Sequence, residues 1–395
     1  MSNEIKWFRF FHRPVFRNFR VIFIVWMTLA VMAGISKYMH GESSCGNYLT
    51  YRQVAVDLLH ENPVYTSEHV LYGPVFGLVM SPFAFLPDWL GIALWLAVLS
   101  SALFAAVRKL PLSKGQQAGV CWICVHELMT ASFNMQFNIG IAAIIVSSFV
   151  LIEKEKDVWA ALVIVLGTLT KLYGVVGLAF FLFSKHRMRL ALSLAGWAVV
   201  LFVLPMAFTS PAYIVEQYGD WVQNLIAKNA ANNTHTGASL MQNISLLGMV
   251  QRIFGTGEAV VLPLLLTGAA LFALPFLRSR QYGNPDFRLA ILASTLLFTV
   301  LFSTSSESST YIIAFAGVAV WFVRQPQPFG AWQVFLLIFV MTLSSLSPTD
   351  LFPRGVRETW VIPYSLKALP CALVWITLTV QLCRRDFSPS TRVPQ

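Results

Sequence analysis

The longest polar interval in the first half of the chain runs from about 40 to 74. Glu68, in the stretch SEHVLYGP, has His69 directly beside it, and Asp57 lies in VAVDLLHENPVY, whose pattern predicts an amphipathic helix. A carboxylate can accept a proton from a hydroxyl group when its geometry and pKa suit the task. If the chain is an enzyme, we expect its active site in this interval. The interval also contains Asn47, Tyr48, Tyr51, Arg52, Glu61, Tyr65 and Tyr72.

The rest of the chain is strongly apolar. Of its 395 residues, 56% are hydrophobic and only 12% are charged, whereas a soluble domain carries about twice that share of charge. Apolar runs of roughly 16 to 22 residues recur, each long enough or nearly so to cross about 30 Å of hydrocarbon. Backbone groups in lipid must be satisfied within the segment, so these runs are expected to be helices. We predict an all-α, polytopic integral membrane protein with a single transmembrane domain over 1–395.

The net charge of +10 follows the membrane pattern. Lysine and arginine cluster at the ends of the apolar runs, as the positive-inside rule requires, so membrane lipids are expected partners and nucleic acid is not. Residues 1–20 form a basic cytoplasmic tail, and 384–395 form a second one. The five cysteines do not make a disulfide framework, and Cys45 is expected to face outside alone.

The expected spans place two polar segments, 40–74 and 209–250, on the outer side, where tyrosines and tryptophans predict interfacial helices. Including a helix pair in 158–184, we expect roughly 11 to 12 crossings in all. The other spans are expected at about 21–39, 89–107, 117–132, 138–152, 190–208, 259–277, 287–303, 309–323, 330–346 and 364–383.

Two apolar segments need a separate interpretation. The stretch 73–86 is short and flanked by prolines, and a full crossing would put the basic residues after 107 outside, so we expect it not to cross fully. The stretch 158–184 contains Lys171, and a charge in mid-membrane is costly. It is therefore predicted to form a pair of short helices with Lys171 at their outer turn.

The order of several sequence pieces resembles the polyprenyl-phosphate-dependent glycosyltransferases of family 87, which have the GT-C fold. The first pieces are NYLTYRQ…DLL…PVY and YGPVFGLVMSPFAFLPDWLGIALW. They are followed by Gln136 and Asn138 after a span, by Lys171 ahead of a glycine, and by SSESSTYIIAFAGVAVW around Glu307. The stretch LFPRGVRETWVIPYSLKALPC resembles a bacterial subgroup of this family. The similarity extends over nearly the whole chain.

The resemblance implies an enzyme of the bacterial inner membrane, with its active site facing the periplasm. It would transfer a hexose such as mannose from a polyprenyl-phosphate carrier to a lipid or glycan acceptor, with inversion and without a metal or cofactor. A carboxylate of the first outer loop would be the general base, with Glu68 the first candidate and Asp57 the second. Candidates for holding the donor phosphate are Lys171, Arg354, Arg357 and Arg52. Candidates for sugar or acceptor binding are Asn47, Tyr48, Tyr51, His69, Tyr72, Gln136, Asn138 and Glu307.

One departure from the family pattern leaves other functions open. Asn47 stands where family members often carry an acidic residue, and an amide cannot accept the acceptor's proton, so the base comes from elsewhere or activity is lost. A transporter or lipid-linked glycan flippase would place ionisable residues at mid-membrane on several helices, whereas here Lys171 and Glu127 are the exceptions. A polysaccharide polymerase or ligase would have an outer loop rich in arginine and histidine, which 209–250 is not.

Structural roles are the alternatives for individual site residues. Lys171 could pair with Glu307 or Glu127 instead of binding a phosphate. Arg354 and Arg357 could meet lipid headgroups, and Glu307 could cap the helix that follows it.

Overall fold

Helices make up almost all of the described chain, which comprises residues 14–67, 70–232 and 241–387; these ranges contain no strand. In this computed structural model the α-helices are α1 (Pro14–Arg17), α2 (Phe19–Tyr38), α3 (Gly46–Leu59), α4 (Pro74–Ala84), α5 (Asp88–Arg108), α6 (Lys114–Phe133), α7 (Asn138–Glu153), α8 (Asp157–Thr170), α9 (Arg187–Val203), α10 (Pro211–Asn232), α11 (Leu246–Phe254), α12 (Val261–Ala273), α13 (Pro285–Leu301), α14 (Tyr311–Val323), α15 (Ala331–Phe339), α16 (Arg354–Val356) and α17 (Ala368–Arg384). Segments of 3₁₀-helix are Glu42–Cys45, Leu172–Phe183, Leu204–Ala207, Gly257–Val260, Leu274–Leu277, Ser279–Gln281 and Ser308–Thr310, and π-helical segments are Val340–Leu346 and Arg357–Val361.

The prediction of an all-α membrane protein is confirmed. Among the described residues, four helical stretches have the length and composition to span a membrane; they are Phe19–Tyr38, Asp88–Arg108, Arg187–Ala207 and Gly257–Leu277. Seven further apolar helices are shorter, at 10–17 residues. Helix α14 lies at the centre of the bundle with every side chain buried, while α9 and α12 expose apolar residues such as Met188 and Leu262. Such apolar exposure fits contact with lipid rather than with water.

The loops predicted to be cytoplasmic lie together at one end of the bundle. Their common position agrees with the alternation of loops expected from the charge pattern. Contacts that join them are Arg288 Nε to Glu153 Oε1 at 3.1 Å, Lys185 Nζ to Glu155 Oε1 at 2.6 Å, Gln116 Nε2 to Val323 O at 2.9 Å, Arg278 Nη1 to Leu382 O at 2.6 Å, and the ion pair of Arg324 with Asp286.

Helix α4 begins and ends beside α3, at the other end of the bundle. Near its start, Gly77 allows close contact, since a Cβ there would lie 2.6 Å from Leu58 Cδ2. Near its end, the Tyr48 hydroxyl donates to Phe83 O at 3.0 Å. Eleven residues at 1.5 Å each give about 16 Å, well short of the hydrocarbon core. The length of α4 fits the non-crossing interpretation of 73–86, which stays a prediction.

The first polar interval differs in detail from its prediction. The helix expected in VAVDLLHENPVY begins earlier, at Gly46, and ends at Leu59, where Glu61 takes a positive φ of 56° and breaks the helical path. Cys45, expected to face outside, is only 2% exposed because it packs into the core at the start of α3.

The stretch 158–184 folds back on itself as predicted. Helix α8 and the 3₁₀-helix Leu172–Phe183 run side by side, with Lys171 between them. At their far ends Ser184 Oγ donates to Asp157 Oδ1 at 2.7 Å. Near the turn the backbones touch at glycines, since a Cβ on Gly174 would lie 2.1 Å from the Gly167 carbonyl carbon. This glycine contact fixes the turn that carries Lys171.

Candidate active site

A cavity of about 630 Å³ opens at the end of the bundle opposite the basic loops. It lies where several helix ends meet, so its polar side chains come from turns that are distant in sequence. Predicted site residues that line it are Asn47, Tyr51, Tyr72, Gln136, Asn138, Lys171 and Glu307.

Gln136 and Asn138 line the cavity because they lie where α6 ends and α7 begins. Helix α6 ends in a Schellman motif, in which Met135 takes a left-handed φ of 53° and Gln136 N donates to Ala131 O at 3.1 Å. Gln136 therefore stands at a tight reversal, two residues before Asn138 begins α7. A methionine in the left-handed region is strained, and such strain is frequent at functional sites.

Gln136 connects the two sides of the cavity. Its Oε1 accepts from the Tyr51 hydroxyl at 3.1 Å and from the Tyr72 hydroxyl at 3.4 Å. Its Nε2 donates to Glu307 Oε2 at 3.1 Å. Tyr51, Tyr72 and Gln136 are all at most 5% exposed, so this network is held rigidly within the protein.

Glu307 both caps a helix and lines the cavity. Its side chain accepts from the Thr310 backbone N–H, and its own backbone N–H donates to Thr310 Oγ1 at 3.1 Å. Asn138 Nδ2 reaches the same Thr310 hydroxyl at 3.3 Å. Among the described residues that line the cavity, Glu307 is the one carboxylate. The capping alternative is thus present, and it fixes the carboxylate at the cavity wall.

Lys171 approaches the same network from the turn after α8. Its Nζ donates to Asn138 Oδ1 at 2.8 Å and to the Tyr72 hydroxyl at 3.4 Å. It also lies 5.2 Å from the ring centroids of Tyr72 and Tyr173, within reach of cation–π attraction. Desolvation lowers the pKa of Lys171 to about 8, while the negative charge of Glu307 acts in the opposite direction. Burial therefore disfavours the charged form of Lys171, and an anion in the cavity would favour it.

The alternative pairing of Lys171 with Glu127 is wrong. Glu127 lies on α6 and meets Lys367 Nζ at 3.6 Å, with both side chains almost fully buried. Lys367 also donates to Ser308 Oγ at 2.8 Å, and this bond ties the segment after Glu307 to the core.

Three residues of the first interval do not face the cavity. The Tyr48 hydroxyl donates to Phe83 O, and Arg52 forms an ion pair with Asp88 at 2.5 Å. Asp57 accepts from Gln53 and Asn62, at 2.9 and 3.3 Å. Helical geometry explains two of these positions, because Arg52 and Asp57, one and six positions after Tyr51, point about 100° and 120° away from it.

The two C-terminal arginines also lie outside this cavity. Arg354 is exposed and pairs with Glu358 at 2.7 Å, whereas Arg357 Nη1 donates to Thr349 O at 3.1 Å. Glu68 and His69 fall outside the described residues. The residues on either side of them are held by Asn224 Nδ2, which donates to Ser67 O at 3.1 Å and to Val70 O at 2.7 Å.

Tyr173 and Lys228 are among the cavity residues that sequence reasoning missed. Tyr173 bonds to Ser303 Oγ at 2.6 Å and to Ser305 O at 3.0 Å, which joins the Lys171 turn to the segment before Glu307. Lys228, on α10, lines the cavity with only 5% of its surface exposed. The available signals were the position of Tyr173 directly after Lys171–Leu172, and a lysine within the apolar-faced helix of the segment 209–250.

Comparison with known proteins identifies the family of this chain. No curated protein matches the chain. The model of glycosyltransferase family 87 matches residues 70–304, a range that includes Tyr72, Gln136, Asn138, Lys171 and Lys228 of the cavity. Because this match covers more than half of an all-α membrane-type chain, the chain belongs to glycosyltransferase family 87.

Proposed function

We propose that this glycosyltransferase moves a hexose, with mannose the first candidate, from a polyprenyl-phosphate carrier to a hydroxyl group of a lipid or glycan acceptor. The observation that carries the proposal is the meeting of Lys171 and Glu307 at one cavity, through the Asn138 and Gln136 side chains. Family membership supports sugar transfer, and Leu71, Leu172 and Leu225 give the mostly polar lining some apolar surface for a lipid carrier.

Lys171 is the proposed ligand of the donor phosphate. In direct displacement the acceptor oxygen attacks the anomeric carbon while the bond from that carbon to the phosphate oxygen breaks. The phosphate leaves with the bonding electron pair, so its negative charge rises in the transition state. A fixed cation stabilises such charge without reorganisation.

The described lining residues of the cavity supply cations for an anionic donor. They include two lysines, Lys171 and Lys228, and one carboxylate, Glu307. A phosphodiester between a sugar and a polyprenol carries one negative charge, which a lysine can meet as a point charge.

The general base is proposed to be Glu307 or Glu68. Glu307 is at the cavity, and its bond from Gln136 orients the carboxylate. Glu68 stays a candidate because the neighbouring Leu71 and Tyr72 line the cavity. Asn47 lines the cavity too, but its Nδ2 donates to Asn134 O at 2.9 Å, and an amide cannot take the proton. The acceptor proton would pass to the carboxylate as the new bond forms with inversion.

The cavity is proposed to face the periplasm of a bacterial inner membrane. It lies at the end of the bundle away from the loops that join at Arg288, Lys185 and Arg278. Basic loops stay on the cytoplasmic side of a membrane protein, so the cavity and the acceptor would be on the other side.

The test is label transfer by the protein purified in lipid, from radiolabelled polyprenyl-phosphate mannose or glucose to membrane-extracted acceptors. Either Glu307→Gln or Glu68→Gln should lower the rate by roughly a hundredfold or more. Asp57→Asn, outside the cavity, is the matched control and should stay close to wild type. The absence of transfer from both donors by the wild-type protein would refute the proposed donor class, and loss in Asp57→Asn alone would refute the assignment of the base.

A further inference from the structure

A second cavity, of about 280 Å³, lies behind the wall of the first. Two chain segments form this wall, and Ile244 N donates to Ser306 O at 2.6 Å to join them. Gln242 and Glu307 line the first cavity, whereas Ile244 and Ser308 line the second. The two cavities are therefore neighbours with separate linings.

Arg357 gives the second cavity its cationic character. Its side chain is only 18% exposed. Nη1 donates to Thr349 O at 3.1 Å and lies 3.6 Å from the carboxylate of Asp350, which is itself fully exposed. A guanidinium has five N–H donors in a planar fork that matches phosphate oxygens. A largely buried arginine at a cavity, with its acidic neighbour in solvent, is suited to an anion.

The other lining residues combine charge, hydroxyl groups and apolar surface. Lys367 adds a second positive charge, which Glu127 balances at 3.6 Å. Glu358 lines the cavity as well, and its carboxylate accepts from Arg354 Nε at 2.7 Å. Hydroxyl and apolar side chains complete the lining; they are Ser308, Ser347, Ser365, Ile244, Val361 and Ile362. This mixture suits a molecule that is anionic at one end and apolar at the other.

Exposed apolar residues next to Arg357 indicate the surroundings of this cavity. Leu351 is 81% exposed, Val356 45% and Trp360 57%. Exposed tryptophan and aliphatic side chains among charged residues are typical of the boundary between lipid and water. The entrance of the cavity would therefore lie at the depth of lipid headgroups.

We propose that the second cavity binds the phosphate group of an anionic lipid, with Arg357 as its main ligand and the apolar residues around the attached chain. This site is separate from Lys171 and does not depend on the proposed sugar transfer. In this proposal Arg357 meets a lipid headgroup, which is the alternative that the sequence analysis named beside the donor phosphate.

Native mass spectrometry of the purified protein in a neutral detergent tests this site. The probes are dioctanoyl phosphatidic acid, dioctanoylglycerol with the same chains but no phosphate, and inorganic phosphate. Wild type should bind the phosphatidic acid far more tightly than either other probe. Arg357→Gln should weaken that binding by about tenfold or more, as loss of a charge-assisted hydrogen bond predicts.

Matched variants make the result specific. Arg52→Gln removes an arginine that pairs with Asp88 outside the linings of both cavities, and Lys171→Met removes a cation of the first cavity; both should bind the lipid as wild type does. Arg357→Lys keeps the charge without the fork and should be intermediate. Equal binding of dioctanoylglycerol, equal binding of inorganic phosphate, or an equal loss in Arg52→Gln would each overturn the proposal.

Discussion

Gln136 Nε2 donates to Glu307 Oε2 at 3.1 Å, and the same amide accepts from two buried tyrosines through its oxygen. The bond joins the turn after α6 to the turn before α14, which are 171 residues apart in sequence. It fixes a carboxylate at the cavity by means of a neutral side chain, so the charge of the carboxylate is not cancelled.

Gln136→Glu should place a second carboxylate against Glu307. Two carboxylates at this distance repel each other, so one pKa rises, and the hydrogen bond is lost at any pH at which both are ionised. We expect transfer activity to fall by roughly tenfold or more at neutral pH, the equivalent of about 1.5–3 kcal/mol, and to recover in part at lower pH. Gln53→Glu is the matched control, since Gln53 bonds to Asp57 outside the cavity. An unchanged pH profile in Gln136→Glu would count against this contact.

Donor binding should weaken as pH rises past 8. The pKa of Lys171 is lowered from its ordinary 10.5 to about 8 by desolvation, so the ammonium charge is present below that pH and is lost above it. The KM for the donor should therefore increase on the alkaline side of 8, and kcat should fall as well, because the same charge stabilises the leaving phosphate. Lys171→Arg keeps its charge over this range and should remove the rise. A flat KM for the wild-type protein would contradict a phosphate contact by Lys171.

The buried pair of Glu127 and Lys367 should matter for stability more than for chemistry. Glu127→Gln leaves the Lys367 charge without compensation in the core, which costs about 3–5 kcal/mol in comparable proteins. The double change Glu127→Gln with Lys367→Met removes both charges and should recover much of that loss. Thermal unfolding of the four proteins in detergent forms a double-mutant cycle that measures the coupling. Additive effects would show that the two residues do not interact.

Close glycine contact in the Lys171 hairpin leads to a fourth prediction. Gly174→Ala would bring a methyl group to 2.1 Å from the Gly167 backbone, so the two helices must separate and the Lys171 turn must move. We expect about 1–3 kcal/mol of destabilisation and a higher KM for the donor. Gly196→Ala on α9, where a Cβ meets nothing within 4 Å, is the control and should leave both quantities unchanged or slightly raise stability. Equal behaviour of the two variants would refute the hairpin contact.

The sequence was most informative where one position of a residue would cost much more free energy than another. A charge in mid-membrane is costly, so a lysine within the apolar stretch 158–184 is expected only at a turn. This argument located both the hairpin and Lys171 correctly. Similar reasoning predicts that 73–86 does not cross fully, because basic residues after 107 should stay with the other basic loops, and the 11 residues of α4 fit that prediction. These features follow from constraints that act on single segments.

Features that depend on packing between distant segments were less accessible. Tyr51 faces the cavity and Arg52 does not, a difference set by the rotation of α3, whose start at Gly46 could not be read from its pattern. Lys228 reaches the cavity only because α10 packs there. Arg357 was expected at the donor phosphate, and the wall formed by the Ile244–Ser306 contact puts it in a different cavity.

The central claim is that sugar leaves a phosphate held by Lys171. The most direct measurement is single-turnover transfer from radiolabelled polyprenyl-phosphate mannose by wild type, Lys171→Met and Lys185→Met, with folding checked by thermal unfolding. Lys185 pairs with Glu155 at the opposite end of the bundle, so its variant should transfer label as wild type does. Lys171→Met should be slower by about a hundredfold or more while remaining folded. Transfer by Lys171→Met at the wild-type rate would contradict the claim.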